Sequence, residues 1–576
     1  RVERRFDLID YIESGAANDG HLQKTGSRMA CVNDQQEASL YMRRRAFLKS
    51  AACAGAGALA PSQLVLAADV EIEIAPDKPG PVINPHLYGH FIEHLGGVIY
   101  DGVWVGRDSR IPNNDGIRKQ FVDDMKRIGA PNLRWPGGCF ADGYHWRDGI
   151  GPATKRSRTY NFWEHRMPPG KHATETNQFG VHEFVRLCRL IGAEPYLAAN
   201  IGSGTPREFH DWVSYCNAPA GTESLADERE VNGDKEPFRV KYWGVGNESW
   251  GCGGDMKPGE YATQYRQFVT QFPVYLTPFL VATGPRGHSR DMDLGWTNGF
   301  FEAMQGGHRS QVDGFSLHFY TDFRNNKMRV ADFKAPDWYA VLLEGMRTEA
   351  VIEAHWKAMG KYDPQHRTKL VIDEWGAWYQ PGEEIRPDYI LSQPVTLRDA
   401  LHTAITFDIF NRHADKIEMA NVAQTINCIH SLFLAIEDKY TRTPPYYVFE
   451  MYRPHMGARQ APMRIRGDEL TVPIQEGAAK MAALVGSASI REKRLTVTMT
   501  NPSLDSPVTA RIRLAGGAQA SEGRGVALTH SDMRARNTFQ NTDEVIPASL
   551  SVKISNDGIV VVIPKQAVAA LEIRLA

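Results

Sequence analysis

Tyr242-Trp-Gly-Val-Gly-Asn-Glu-Ser-Trp250 ends an apolar run, Val240 to Val245, and delivers an amide and a carboxylic acid side by side, Asn247 and Glu248. A second run, Lys369-Leu-Val-Ile-Asp-Glu-Trp375, delivers another acid, Glu374, in the same way. Short apolar runs bounded by turn residues read as buried strands. A lone glutamate at a strand end is usually a solvated turn residue. Two of them, each followed by Trp and one preceded by Asn, fit the carboxyl pair of glycoside hydrolysis. There one acid protonates the leaving oxygen while the other attacks, or activates water, on the opposite face of the sugar.

Six more runs read as strands: His86–Phe91, Asn132–Trp135, Glu194–Asn200, Phe279–Gly284, Gly314–Tyr320 and Lys416–Gln424. With Arg239–Val245 and Lys369–Trp375 they make eight. Amphipathic stretches lie between them. Ile117, Phe121, Val122, Met125 and Ile128 share one helical face, and Val181, Phe184, Cys188 and Ile191 form a similar stripe. Eight alternating units predict an α/β fold, a (β/α)8 TIM barrel spanning 86–443. A doubly wound open sheet is the alternative, but no glycine-rich phosphate turn follows the first strand. In a barrel the chemistry sits at the C-terminal strand ends. Glu93, Arg134 with the Pro136-Gly137-Gly138 turn, Asn247, Glu248, His318, Tyr320, Glu374 and Gln424 all fall there. From about Pro444 the pattern changes to short alternating strands, such as Arg494–Thr500, Thr509–Leu514 and Gly558–Ile563, which predicts an all-β sandwich over 444–576. Val70–Ile74, within a segment 69–85, also alternates and can join that sandwich.

The N-terminus reads as an address. Arg44-Arg45-Ala46-Phe47-Leu48-Lys49 resembles a twin-arginine export motif. The Ala/Gly/Leu-rich stretch that follows is too weakly apolar to span a membrane and ends in small residues. Residues 42–68 are therefore expected to be a cleaved leader, leaving a mature chain of about 508 residues that is periplasmic or secreted. Residues 1–41 are polar and aperiodic and read as an over-extended start or a disordered extension.

The 576 residues carry 66 basic and 68 acidic side chains, a net charge of -2, which gives no support for nucleic-acid or membrane-surface binding. Seven cysteines, Cys31, Cys53, Cys139, Cys188, Cys216, Cys252 and Cys428, are widely spaced with no C-x-x-C. That indicates neither a zinc ribbon nor a disulfide framework. His90-Phe-Ile-Glu-His94 matches one metalloprotease pattern, but it follows an extended Leu-Tyr-Gly segment and runs into Gly96-Gly97. No metal and no cofactor is implied. Asn247-Glu248-Ser249 matches a glycosylation sequon but sits in a buried-strand context. A non-catalytic carbohydrate binder would keep the aromatics and lose one of the two acids.

The ordered set Tyr88-Gly-His-Phe-Ile-Glu-His-Leu-Gly-Gly97, Asn132-Leu-Arg-Trp-Pro-Gly-Gly138, Tyr144-His-Trp-Arg-Asp-Gly-Ile-Gly-Pro152, Gly244-Val-Gly-Asn-Glu-Ser-Trp250, Ser316-Leu-His-Phe-Tyr320, Asp373-Glu-Trp375 and Ala420-Asn-Val-Ala-Gln424 resembles glycoside hydrolase family 51, the α-L-arabinofuranosidases. The resemblance implies a retaining enzyme acting on arabinofuranosyl-containing polysaccharides or oligosaccharides, and an oligomeric assembly. It implies Glu248 as acid/base, Glu374 as nucleophile and Asn247 on the hydroxyl next to the reacting carbon. Arg134 would hold Glu374 ionised. Glu93, Tyr320 and Gln424 fall at sugar contacts. His318 would brace the acids, with a satisfied core histidine as its alternative. Trp250, Trp375 and Trp378 fit a sugar platform or ordinary core packing equally well. β-Xyloside, β-glucan or galactofuranoside cleavage on the same scaffold is the remaining alternative. One position departs from the family pattern: Cys139 stands where many members have Asn. Cys139 and Cys252 are expected near the reacting sugar, either as unrelated thiols or bridged if their Cα atoms lie within about 7 Å.

Overall fold

The computed structural model describes residues 68–270, 277–287, 292–306, 312–324 and 328–576. The leader motif Arg44–Lys49, the extension before it, and Cys31 and Cys53 lie outside the described residues. Eight parallel strands close into a barrel: β1 (Gly89–Phe91), β2 (Asn132–Trp135), β3 (Glu194–Ala199), β4 (Tyr242–Val245), β5 (Phe279–Ala282), β6 (Gly314–Asp322), β7 (Lys369–Trp378) and β8 (Ile417–Val422). Each pairs with its neighbours in sequence, and β8 returns to β1. This is the barrel expected from the eight runs, and the open-sheet alternative falls.

The boundaries move for local reasons. Pro85–Tyr88 is a 3-10 turn rather than the start of β1, because Pro85 has no N–H and the Asn84 side chain accepts from the His86 amide. β4 ends at Val245, so Glu248 lies in the following turn rather than on the strand. β6 and β7 run past the rim, pairing out to Asp322 and Trp378. Pro444–Tyr452, where alternating strands were expected to begin, is a helix, since prolines suit the first turn where no N–H is needed. Its Phe449 stacks on His90 and meets Phe407 edge-on.

The helical stripes are as read except at Ile117, which is buried but lies on the two-residue strand Ile117–Arg118 before the helix. Phe121, Val122, Met125 and Ile128 are buried on the helix Lys119–Ile128, and the helix Val181–Ile191 buries Val181, Phe184, Cys188 and Ile191. Gly129 and Gly192 stop these helices in the left-handed conformation that glycine adopts most readily. Inside the barrel, Tyr196, Tyr242, Val281, Val371 and Met419 form a closed plug beneath the site.

The β-sandwich packs two sheets over Val497, Met499, Ile512, Val561, Leu571 and their neighbours. The strand Ala68–Ile74 completes one sheet, antiparallel to Met463–Arg466 and parallel to Val508–Leu514. Among the described residues no helix is long and apolar enough to cross a membrane.

One helix, Leu397–Arg412, is buried along nearly its whole length between barrel and sandwich. Its Asp408 accepts from Ser487 and Thr498 of the sandwich at 2.7 Å each and from Tyr452 at 3.0 Å. Burial pushes this carboxyl up to about 6, against the pull of those hydroxyl donors. A raised carboxyl pKa means that the folded state binds the proton more tightly. The ionised group therefore costs stability, by up to about 3 kcal/mol, as pH rises from the unfolded value near 4 through about 6. Asp408→Asn should accordingly melt higher relative to the parent at pH 7.5 than at pH 4.5. A melting-temperature difference that does not change with pH would show that Asp408 does not titrate in this window.

Candidate functional site

The C-terminal ends of the barrel strands converge on an ionic cluster around Arg134. Alternation along β2 turns Leu133 and Trp135 outward, where Trp135 stacks on Phe184, and turns Arg134 inward. The Arg134 guanidinium is buried. It donates to Glu374 Oε1 and to Asn247 Oδ1, both at 2.7 Å, and its Nε lies 3.7 Å from Asp373 Oδ2.

Asp373 and Glu374 are consecutive, yet both face this guanidinium. A regular strand would turn one of them away. The pairing of β6 with β7 slips here: Ser316 opposes Val371 while His318 opposes Glu374, so three steps on β7 match two on β6. Such a bulge re-aims side chains, a common device beside active sites. Trp375, next along, is consequently directed outward and packs edge-on against Phe407 and Phe410. It is core, not a sugar platform.

Glu374 Oε2 accepts from Tyr320 at 2.8 Å. His318 Nδ1 lies 2.9 Å from Glu248 Oε1 and 3.4 Å from Glu374 Oε2, and its Nε2 lies 3.2 Å from Asp373 Oδ1. Burial opposes a charge on this imidazole, but Glu374, Asp373 and Glu248 together outweigh it and raise His318 to about 10. His318 thus reaches Glu248 and Glu374 through Nδ1 and Asp373 through Nε2. Asp373 is buried yet held below the usual carboxylate range by Arg134 and His318, with Tyr196 and Ser316 donating at 2.7 and 2.6 Å.

Glu248 sits at φ +39°, held by the amides of Gly251 and Gly253, which donate to its carbonyl. Glu248, His318 and Glu374 each place one polar atom within 4.8 Å of the others, so the nearest oxygens of the two glutamates are no farther apart than that. Gly137 and Gly138 permit the close packing of this group. A Cβ at Gly138 would stand 2.8 Å from Glu374 Oε1, and one at Gly137 2.7 Å from Glu93 Cγ.

Glu93 lies in the loop after β1. It accepts from the Phe140 amide at 3.0 Å, Trp163 Nε1 at 3.1 Å and Gln424 Nε2 at 2.8 Å. Burial, then the charge of Glu374, raises it to about 7. Gln424 keeps a buried Oε1 with no protein partner. Trp378 meets Tyr320 edge-on at 5.1 Å and carries the Arg324 guanidinium 4.0 Å above its ring. Trp250 is half-buried and donates to the Gly284 carbonyl.

Cys139 and Cys252 are joined in a disulfide with Cα atoms 5.5 Å apart, beside Glu248 Oε2. Proximity to the pocket and the bridge are both as the sequence allowed. With the bridge closed, Cys139 presents sulfur without a thiol proton beside Glu248.

The zinc pattern does not assemble. His90 packs on Phe449, whereas the His94 ring lies between Glu175 and Trp135. Asn247 is 2 % exposed, which removes it as a glycosylation site. Sequence reading gave no role to Asp373, Tyr196, Ser316 or Trp163. The only available signal was the position of Asp373 beside Glu374, and Tyr196 and Ser316 sit on strands whose alignment needs the closed barrel.

Two family models match, the α-L-arabinofuranosidase 1 domain over residues 124–325 and the α-L-arabinofuranosidase C-terminal domain over 373–566. An intracellular exo-α-L-arabinofuranosidase of Bacteroides ovatus is 35% identical over 509 residues, 87% of this chain and 95% of that protein. α-L-Arabinofuranosidase C of Emericella nidulans is 32% identical over 393 residues, 66% of this chain and 74% of its own. Among solved structures, the GH51 arabinofuranosidase from Xanthomonas axonopodis pv. citri aligns with a TM-score of 0.81 at 34% identity, covering 88% of this chain and 100% of its own. The Thermotoga maritima α-L-arabinofuranosidase in complex with arabinose aligns at 0.75 and 28%, with the same coverage. The chain belongs to glycoside hydrolase family 51, the α-L-arabinofuranosidases.

Proposed function

We propose that the protein is a retaining, exo-acting enzyme that removes terminal non-reducing α-L-arabinofuranosyl residues from arabinan, arabinoxylan or arabino-oligosaccharides. The observation that carries this reading is the spacing of the two glutamates, whose nearest oxygens lie within 4.8 Å. Retaining enzymes hold their carboxyl groups about 5–5.5 Å apart, and inverting ones about 6.5–9.5 Å apart.

The different surroundings of the acids divide the work. Glu374 receives donors from Arg134 and Tyr320, which fix it for attack on the anomeric carbon. Glu248 receives His318 on Oε1, so Oε2 is the oxygen that carries the transferable proton. Glu248 protonates the leaving oxygen as the Glu374 ester forms, then draws the proton from the water that releases the sugar. Asn247, oriented through Oδ1 by Arg134, offers Nδ2 to a sugar hydroxyl. Glu93 and the unpaired Gln424 Oε1 supply acceptors for the others. Exo action is supported by the name of the Bacteroides relative.

The twin-arginine motif supports export of the folded enzyme to the periplasm or medium, and the bridge near the site suits an oxidising compartment. The relative from Bacteroides ovatus is named intracellular, so compartment is a property to measure in this chain. The double substitution Arg44→Lys/Arg45→Lys should retain the enzyme in the cytoplasm of a producing cell. Unchanged export would remove this part of the proposal.

Glu374→Ala should abolish turnover on all substrates. Glu248→Ala should lose about 10²–10⁴-fold on poor leaving groups but far less on activated aryl arabinofuranosides. Azide should rescue Glu248→Ala and give a product of retained configuration. The reverse pattern between the two variants would exchange the roles. Glu93 titrates near pH 7, so the parent's kcat/KM profile should contain an ionisation there that Glu93→Gln lacks. Its persistence in that variant would assign it to another group.

A further inference from the structure

Two sulfur atoms and the acid/base carboxylate share one wall of the pocket. Cys139 opens the turn after β2 and Cys252 lies in the loop after β4, 113 residues later. Sγ of Cys252 is 3.7 Å, and Sγ of Cys139 3.9 Å, from Glu248 Oε2. One atom from each of the three residues lies within 4.8 Å of the other two. All three side chains are partly accessible, whereas Cys188, Cys216 and Cys428 are buried elsewhere.

We propose that Cys139, Cys252 and Glu248 form a redox-gated site for a soft divalent cation, closed while the bridge stands and inhibitory once it is reduced. A small dithiol supplies the reductant. Its first thiolate attacks one bridge sulfur, releasing the other cysteine and forming a mixed disulfide, and its second thiolate closes on the dithiol's own first sulfur and displaces the cysteine still bound. The products are two cysteine thiols and the oxidised cyclic dithiol, so two electrons and two protons are transferred. A bridged sulfur is a poor ligand, but a pair of thiolates is the donor set that cadmium or zinc prefers. Binding releases the two thiol protons. The Glu248 carboxylate then makes a third protein ligand and leaves the fourth position to solvent, the ligand count of an open zinc site. His318 on Oε1 already turns Oε2 toward the sulfurs. With Oε2 bound to the cation, Glu248 no longer protonates the leaving oxygen.

A second trio, Glu248, His318 and Glu374, is equally close but contains no soft donor. The cadmium–thiolate absorption band, which a nitrogen and oxygen site lacks, therefore identifies the sulfur site. The site requires only the three side chains, so its metal chemistry stands or falls separately from the glycosidase assignment.

The test compares bridged enzyme with dithiol-reduced enzyme after anaerobic removal of the reductant. CdCl2 is titrated while cadmium–thiolate charge-transfer absorption and hydrolysis of an arabinofuranoside with a poor leaving group are followed. Reduced enzyme should bind one equivalent, lose about 10²-fold or more in turnover, and recover with EDTA. Bridged enzyme, and Cys252→Ser measured against its own cation-free rate, should show neither effect, and MgCl2 should be inert throughout. If no arabinofuranoside is hydrolysed, the absorption band still reports the site. The proposal is overturned by absence of the band in reduced enzyme, by a band without inhibition, by equal inhibition of bridged enzyme, or by loss of the near-ultraviolet circular dichroism on reduction alone.

Discussion

A buried guanidinium holds the centre of this molecule together. Arg134 is enclosed at the barrel mouth, where an uncompensated charge would be very unfavourable. Asp373 and Glu374 compensate it, and Asn247 takes a further N–H. The same anions, with Glu248, raise the pKa of His318. Arg134, His318, Asp373, Glu374 and Glu248 thus share a small volume, and each fixes the position of the others. Removing one partner from a buried pair commonly costs about 3–5 kcal/mol, because it strands the remaining charge. The site is therefore built as a unit.

That unit also separates the behaviour of the carboxyl groups. Asp373 is kept ionised by direct partners. Glu93 is equally buried but has neutral donors and an anionic neighbour, so its ionisation moves toward neutral pH. The chemical distinction between these acids lies in what surrounds each one.

The frame supplies the geometry through irregularities. The slip between β6 and β7 brings Asp373 and Glu374 to the same side, and the positive φ of Glu248 turns its side chain off the end of β4 toward them. Gly137 and Gly138 allow the loop after β2 to pass within contact of two carboxylates. The Cys139–Cys252 bridge ties that loop to the Glu248 turn, so the wall bearing the acid is anchored covalently to the strand end bearing Arg134.

Much of this was legible in one dimension. Apolar runs alternating with 3.6-residue stripes encode a barrel because each strand and helix must bury its own face. Glu248 and Glu374 stood out because acids ending buried strands have few structural reasons to be there. The order of motifs from Tyr88 to Gln424 carried the family. Local sequence could not show that Trp375 faces the core while Glu374 faces the pocket. That depends on a register slip set by the pairing of β6 with β7. Nor could it show that Tyr196, Ser316 and Trp163 serve Asp373 and Glu93, or that two cysteines 113 residues apart are joined. Side-chain type and period are properties of the chain and can be read from it. Which side chains meet across a closed barrel depends on register, bulges and loop paths, and those are decided only when all eight strands are in place.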